Sequence, residues 1–320
     1  MKFGVISTAN IGTNVVIPAI RDAGHEVVGI ASRDSQRAAE TAERLDISHS
    51  FGSYEQLLES NIDAVYNPLP NALHAEWTKR AADHGLHVLC EKPLAADAEQ
   101  AREMGDYCDE QGVTLMEAFM YRYHPRTERA VEIADDLDVR SVKSTFQFPL
   151  RNPNDVRLNP DLAGGSLMDV GCYAVNAVRL FLGQPNRVYA TTSDTMNSGV
   201  DTELTAILIY DDGVTGEVSS GFTTTDTQSY RVEARNGWLD VPEAFVPRGD
   251  DGTELEYAID DRHVTERFDP TNQYALEVEH FVDCVKTGDR PETDTDEAVR
   301  TMTVIDALYK SARKRQPVPV

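Results

Sequence analysis

The chain has 320 residues, 41% of them hydrophobic, and carries 54 acidic side chains against 30 basic ones, a net charge of −24. That length suffices for two cores, because a single core stops growing at roughly 250–300 residues. The charge excludes nucleic acid and anionic membranes as partners, since no basic stripe exists to meet phosphates.

In chain order, the first 120 residues alternate strand and helix. Strands are predicted at 2–7, 26–31, 49–51, 64–67, 88–90 and 113–116, and helices at 14–23, 35–45, 54–60, 74–84 and 98–111. Alternation at this spacing implies right-handed βαβ units and a parallel sheet. A strand so near the N-terminus leaves no room for a signal peptide, so a cytoplasmic location is expected.

After about residue 122 the pattern changes. A helix at 125–134 leads into strands at 142–148, 188–195, 202–210, 215–224 and 230–235, with Asp211-Asp212-Gly213 as a hairpin turn. A helix at 171–181 interrupts this set, and helices at 273–286 and 296–313 close the chain. The expected fold class is α/β: a parallel α/β domain at 1–122, then a mostly antiparallel α+β domain at 123–320.

Composition refines this picture. The acids are spread along the chain, aspartate (30) exceeds glutamate (24), and only seven of the basic residues are lysines. This pattern suits high salt, where counterions screen self-repulsion. The four cysteines show no CxxC spacing, so no metal or redox centre is expected. No apolar run approaches the ~20 residues of a membrane span.

The first strand runs into Ser7-Thr8-Ala9-Asn10-Ile11-Gly12. The nucleotide fingerprint G-x-G-x-x-G falls here, with Ser7 and Ala9 in place of its first two glycines. Small residues serve a tight strand-to-helix turn, and they also let the backbone approach a pyrophosphate at the helix N-terminus. The second strand ends at Ala31-Ser32-Arg33, where NAD-binding chains usually carry an acid. Ser32, Arg33 and, one turn on, Arg37 suit a 2′-phosphate, so NADP is expected over NAD. Asp34 reads as the cap of the next helix.

Lys92, in Cys90-Glu91-Lys92-Pro93, stands at the end of a buried strand, the edge where open parallel sheets bind ligands. Its position fits a proton handler, a nucleophile or a positive charge beside an oxygen. The loop of Asn67, Pro68, Leu69, Pro70 and Asn71 follows the fourth strand and is stiff enough to flank a nicotinamide ribose. His74 either joins it or packs locally at the helix start. In the second domain, Gly164-Gly165-Ser166 opens a helix on which Asp169 and Tyr173, four apart, share a face. The glycines suggest the close approach of a flat group, and spacing alone makes Tyr173 a core residue.

Taken together, the altered phosphate loop, the 67–74 loop, Glu91-Lys92-Pro93, the segment 117–122 and Gly164 to Tyr173 resemble the glucose-fructose oxidoreductase / inositol dehydrogenase family of nicotinamide-dependent dehydrogenases. The resemblance covers nearly the whole chain. It implies a Rossmann domain and a second domain with an open antiparallel sheet, often used for dimer contacts, hence a homodimer or homotetramer. Many members have histidine where this chain has Tyr173; tyrosine marks the branch of aldose dehydrogenases and dimeric dihydrodiol dehydrogenase.

The resemblance also implies roles. Lys92 and Tyr173 flank the carbon that exchanges hydride with the nicotinamide, with Tyr173 as base and Lys92 as fixed charge. Asp169 orients the hydroxyl or holds Lys92. Ser7, Thr8, Ala9, Asn10, Ile11, Leu69, Pro70, Asn71, His74, Glu91 and Lys92 contact NADP, together with Ser32, Arg33 and Arg37. Tyr121, Arg122 and Asn176 contact the sugar. The expected reaction is NADP-dependent oxidation of an aldose at C1, or of a related cyclic diol. Carbonyl reduction, sugar–sugar exchange on a retained cofactor and a non-catalytic sugar sensor are the alternatives.

Overall fold

A computed structural model describes residues 1–247, 252–260 and 262–320. The chain forms two compact units, one of residues 1–120 with 272–299, the other of residues 121–271 with 300–320.

The first unit is built on six parallel strands: β1 (Lys2–Ile6), β2 (Glu26–Ala31), β3 (His49–Phe51), β4 (Ala64–Asn67), β5 (His87–Glu91) and β6 (Leu115–Ala118), in the spatial order β3-β2-β1-β4-β5-β6. Strands β1 and β4 bury nearly every side chain, as central strands covered on both faces must. Helices α1 (Ile17–Asp22), α2 (Ser35–Leu45), α3 (Tyr54–Leu58), α4 (His74–Asp83) and α5 (Ala98–Gln111) connect them. Local signals set several of the ends. Asp34, Ser53 and Asp97 each accept a first-turn N–H through the side chain, and Gly112 closes α5 in the left-handed conformation. The strand order reverses between β1 and β4, which puts the loops following both strands at the switch point of the sheet.

In the second unit, helix α6 (Pro125–Asp135) leads into β7 (Val139–Gln147), then α7 (Cys172–Leu182), β8 (Arg187–Ser193), β9 (Glu203–Ile209), β10 (Thr215–Gly221), β11 (Thr227–Ala234), β12 (Gly237–Pro242), β13 (Thr253–Ile259) and β14 (Arg262–Phe268). With β15 (Val318–Pro319), the described residues make one sheet ordered β14-β13-β12-β11-β7-β10-β9-β8-β15. Only β7 and β10 run parallel; every other neighbour is antiparallel. Alternate residues such as Leu204, Ala206 and Leu208 turn inward under α7, while Thr205 and Ile207 turn out. The fit under α7 is close: a Cβ on Gly216 would come 2.4 Å from Val178 Cγ1. The 211–213 turn joins β9 to β10 with both Asp212 (φ 54°) and Gly213 (φ 72°) left-handed.

The structure departs from the sequence reading in three respects. Helix α8 (Gln273–Thr287), expected with residues 123–320, belongs to the first unit. Its Phe281 ring lies 6.1 Å from Phe3, both fully buried, and Asn272 Nδ2 donates to Asp22 Oδ2 at 2.8 Å. Apolar surface on the parallel sheet layer outweighs chain order here. The last helix, α9 (Thr295–Lys314), contributes residues to both units. Strands β12 to β15 carry no prediction; β14 has no fully buried residue, so it lacks the apolar alternation that announces a strand. No helix among the described residues is long and apolar enough to cross a membrane.

Candidate active site

In the first unit, the turn after β1 has the backbone of a glycine-rich loop without its first glycine. Ser7 stands at φ 93°, in the left-handed region that ordinarily calls for glycine. Two bonds hold it there: its N–H donates to Ala31 O at 3.0 Å, and its hydroxyl accepts the Ala9 N–H at 3.2 Å. The first helical bond of the segment runs from Thr13 N–H to Ala9 O, so the N–H groups of Asn10, Ile11 and Gly12 stand at a helix start. That helix opens with a π turn (Gly12–Val16). A Cβ on Gly12 would sit 3.5 Å from Pro68 Cγ and from the Tyr66 ring, which brings the loop after β4 against it. Thr8 is buried, Ala9 and Ile11 are half-buried and Asn10 is exposed.

At the end of β2, the Ser32 hydroxyl accepts the Asp34 N–H at 3.2 Å, and Asp34 Oδ1 accepts the Arg37 N–H at 3.1 Å. Asp34 is thus engaged as a helix cap. Arg33 and Arg37 are exposed, and no ion pair ties either of them among the described residues, in a chain with nearly two acids per base. An anion-ready helix start beside two arginines fits a dinucleotide carrying a 2′-phosphate.

The 67–74 loop is stiff for identifiable reasons. Asn67, fully buried, accepts the Leu69 N–H through Oδ1 at 3.3 Å and donates to Thr78 Oγ1 at 3.3 Å. Leu69 is buried, and Pro70 and Asn71 are half-buried. His74 is expected to border the cofactor; it is instead wholly enclosed, with Nε2 2.7 Å from Leu69 O and Nδ1 3.0 Å from Pro93 O. It ties the loop to the segment after Lys92 and does not reach outward. Two carbonyls favour a charged ring, but burial prevails and pushes its pKa down to about 4, the Lys92 charge acting in the same direction.

Glu91 is likewise engaged within the protein. Its Oε1 accepts the Tyr66 hydroxyl at 2.6 Å, and its Oε2 accepts the Lys92 N–H at 3.3 Å. Behind this pair lies Glu277 of α8, 1% exposed, its pKa raised well above the usual carboxylate range by burial and then by the Glu91 charge. Beyond Pro93, the buried Glu117 accepts the Leu94 N–H through Oε1 at 2.7 Å, and its own main chain exchanges hydrogen bonds with Thr293. Lys92 therefore leaves the sheet between two segments fixed by buried polar groups.

In the second unit, the helix carrying Asp169 and Tyr173 opens with another π turn (Leu167–Gly171) before α7. Tyr173 is 5% exposed and packs against Phe146 and Phe245, with centroids 5.4 and 5.3 Å away. The glycines before it serve a purpose other than the expected approach of a flat ligand. A Cβ on Gly164 would come 2.4 Å from Arg157 O, and one on Gly165, at φ 122°, would come 2.3 Å from Asp201 Oδ1. Protein atoms fill that space. Asp169 takes Arg157, whose Nε donates to Oδ2 at 2.7 Å while Nη1 reaches Asp155 at 3.1 Å.

Tyr121 and Asn176, expected to touch the sugar, are fully buried and spend their polar groups inside the unit. The Tyr121 hydroxyl donates to Asn176 Oδ1 at 2.5 Å, and Asn176 Nδ2 donates to Thr301 Oγ1 at 3.3 Å. They form a layer behind Tyr173. Arg122 is 9% exposed on the short turn Met120–Tyr123. Arg157 and Asp201 carry no prediction from sequence, and Glu117 only opens the 117–122 segment, with no role assigned to it.

A six-stranded parallel sheet with an anion-ready loop at its switch point defines a dinucleotide-binding unit, here joined to a second unit with a largely antiparallel sheet. The chain belongs to the GFO/IDH/MocA oxidoreductase family. Residues 1–119 match the oxidoreductase family with NAD-binding Rossmann fold, and residues 138–240 match the GFO/IDH/MocA C-terminal domain. It is 54% identical over 316 residues to D-xylose 1-dehydrogenase (NADP(+)) 2 of Haloferax volcanii, covering 98% of this chain and 97% of that protein. Among solved structures it is similar to a 3-ketoreductase from Actinomadura kijaniata in complex with NADP and TDP-benzene, with TM-score 0.92, 31% identity and 97% of each chain covered. It is also similar to an aldose-aldose oxidoreductase from Caulobacter crescentus, with TM-score 0.92, 26% identity, and 100% and 99% covered.

Proposed function

We propose that this protein is an NADP-dependent dehydrogenase that oxidises an aldose such as xylose or glucose at C1 to its lactone. The observation that carries this reading is the 54% identity, over 98% of the chain, to the NADP+-dependent xylose dehydrogenase of a halophile. The geometry at the end of β2 supports the cofactor choice, with Arg33 and Arg37 available to a 2′-phosphate and Ser32 beside them. Bound NADP+ would supply the nicotinamide that takes up hydride from C1.

The chain's own residues handle the proton. An unperturbed tyrosine has a pKa near about 10, and a cation beside it favours the phenolate. Tyr173 is the proposed acceptor of the C1 hydroxyl proton, and Lys92 the fixed charge that makes it a usable base. As the proton moves to the Tyr173 oxygen and hydride leaves C1, the C1–O bond gains its second bond and the lactone forms. Asp169, held by Arg157, orients the hydroxyl.

The outward face of the second unit's sheet, with Ile207 44% exposed, suits a homodimer or homotetramer. The acid excess suits a salt-rich cytoplasm. A second reading, reduction of a keto sugar, draws on 32% identity over 98% of the chain to a dTDP-3,4-didehydro-2,6-dideoxy-alpha-D-glucose 3-reductase. Both are tested by one screen in molar KCl: NADP+ reduction over pentoses, hexoses, uronic acids and cyclitols, with NAD+ in parallel and NADPH oxidation by keto sugars. NADP+ reduction by an aldose is the expected result; turnover confined to keto sugars and NADPH would replace the first reading with the second.

A further inference from the structure

We infer that Asp201 is a positioning residue that sets where Asp169 and Tyr173 stand. The inference rests on the catalytic roles proposed for those two residues, and all its observations lie within the second unit. The helix bearing them starts at Ser166, whose own side chain does not cap it. The missing cap arrives from the connection between β8 and β9. Asp201 Oδ2 accepts the Leu167 N–H at 2.8 Å and the Ser166 hydroxyl at 2.8 Å, and Asp201 O accepts the Ser166 N–H at 2.7 Å. Its other carboxylate oxygen accepts the Tyr309 hydroxyl of α9 at 2.7 Å.

One carboxylate, 9% exposed, therefore gathers three donors from two helices. A negative charge at a helix start also meets the positive end of the helix dipole. The main chain is shaped around it: Gly165 has room for the carboxylate only because it lacks a Cβ. On the far side the Ser166 hydroxyl lies 2.9 Å from Ser220 Oγ, which fixes the same point to β10. Leu167 precedes Asp169 by two residues and Tyr173 by six, so any movement of the helix start is carried directly to both. Displacement of reacting groups by about 1 Å can cost on the order of 10²-fold in rate.

The test compares Asp201→Ala, Asp201→Asn and Tyr309→Phe with wild type, in kcat, in KM for sugar and NADP+, in NADPH binding by fluorescence, and in thermal unfolding. Expected for folded protein is a kcat loss of about 10²-fold in Asp201→Ala, with NADP+ KM and NADPH affinity unchanged. Asp201→Asn, which keeps one acceptor for the Leu167 N–H, should lose less. Tyr309→Phe should lower kcat alone, and should add nothing on top of Asp201→Ala, because the two act through one carboxylate. A lowered unfolding temperature with unchanged kcat in the folded fraction would overturn the inference. If Asp201→Ala does not fold, Tyr309→Phe decides, since it leaves the Leu167 cap in place. Tyr173→Phe in the same assay separates the two claims: an inactive Tyr173→Phe beside a fully active Asp201→Asn and Tyr309→Phe sinks this inference alone, whereas an active Tyr173→Phe sinks the catalytic assignment under it.

Discussion

Glu117 Oε1 accepts the Leu94 N–H at 2.7 Å, so a buried carboxylate anchors the chain two residues beyond Lys92. Glu117→Ala leaves that N–H, in a fully buried residue, without its acceptor. The expected cost is about 1–3 kcal/mol of stability, together with a loss of turnover as the Lys92 segment loosens. Glu117→Gln keeps an acceptor oxygen and should retain most of both. Urea unfolding and steady-state rates on the two variants check this, and equal behaviour of the pair would refute it.

Tyr173 should fail in a different way from cofactor-site variants. Tyr173→Phe removes one oxygen from an aromatic cluster and should keep the fold, while turnover falls by about 10²–10⁴-fold. NADPH binding, measured by fluorescence, should be unaffected. Lys92→Arg keeps the charge but presents a bulkier planar head, and most activity should go with it.

Arg33 offers a test of cofactor choice. A charge-assisted hydrogen bond contributes about 1.5–3 kcal/mol, so Arg33→Ala should weaken NADP+ binding by about 10–100-fold. NAD+ affinity should remain as it was. Arg37→Ala should have a smaller effect in the same direction, read from KM for each cofactor.

Two buried histidines should each draw stability down in mild acid. His74 and His124, 0% and 2% exposed, both have pKa values pushed down to about 4 by burial, with Arg126 adding to the effect at His124. Both rings are neutral in the fold, whereas the unfolded chain protonates them near about pH 6.5. The unfolded state thus binds the extra protons. The contribution is present in full above pH ~6.5 and is lost as pH falls toward ~4, on the order of 3 kcal/mol for His74. The difference between unfolding free energies near pH ~7 and ~5 should be smaller in His74→Gln than in wild type.

Much of this architecture is legible from local signals. Helix α5 spans Ala98–Gln111 as the sequence implies, because Asp97 caps it and Gly112 ends it. The 211–213 turn is legible for the same reason. Lys92 stands out because it ends a buried strand; Tyr173 does not, since its spacing alone reads as core and only the family resemblance points to it. What escaped notice depends on distant partners. Asp201 meets Leu167 across 34 residues, Glu117 meets Leu94 across 23, and Arg157 meets Asp169 across 12. No periodicity encodes such pairs. The family resemblance, not any local signal, points to Tyr121 and Asn176 as sugar contacts; in the fold the Tyr121 hydroxyl donates to Asn176.

The return of residues 272–299 to the first unit has a bearing on how the protein is made. During synthesis the six parallel strands emerge from the ribosome more than 150 residues before α8. Until then Phe3 lacks Phe281, Glu117 lacks Thr293, and an apolar surface on the nascent sheet stays uncovered. The nucleotide-binding half is therefore the first to begin folding and among the last to finish, so a chain cut at residue 120 should aggregate when expressed alone.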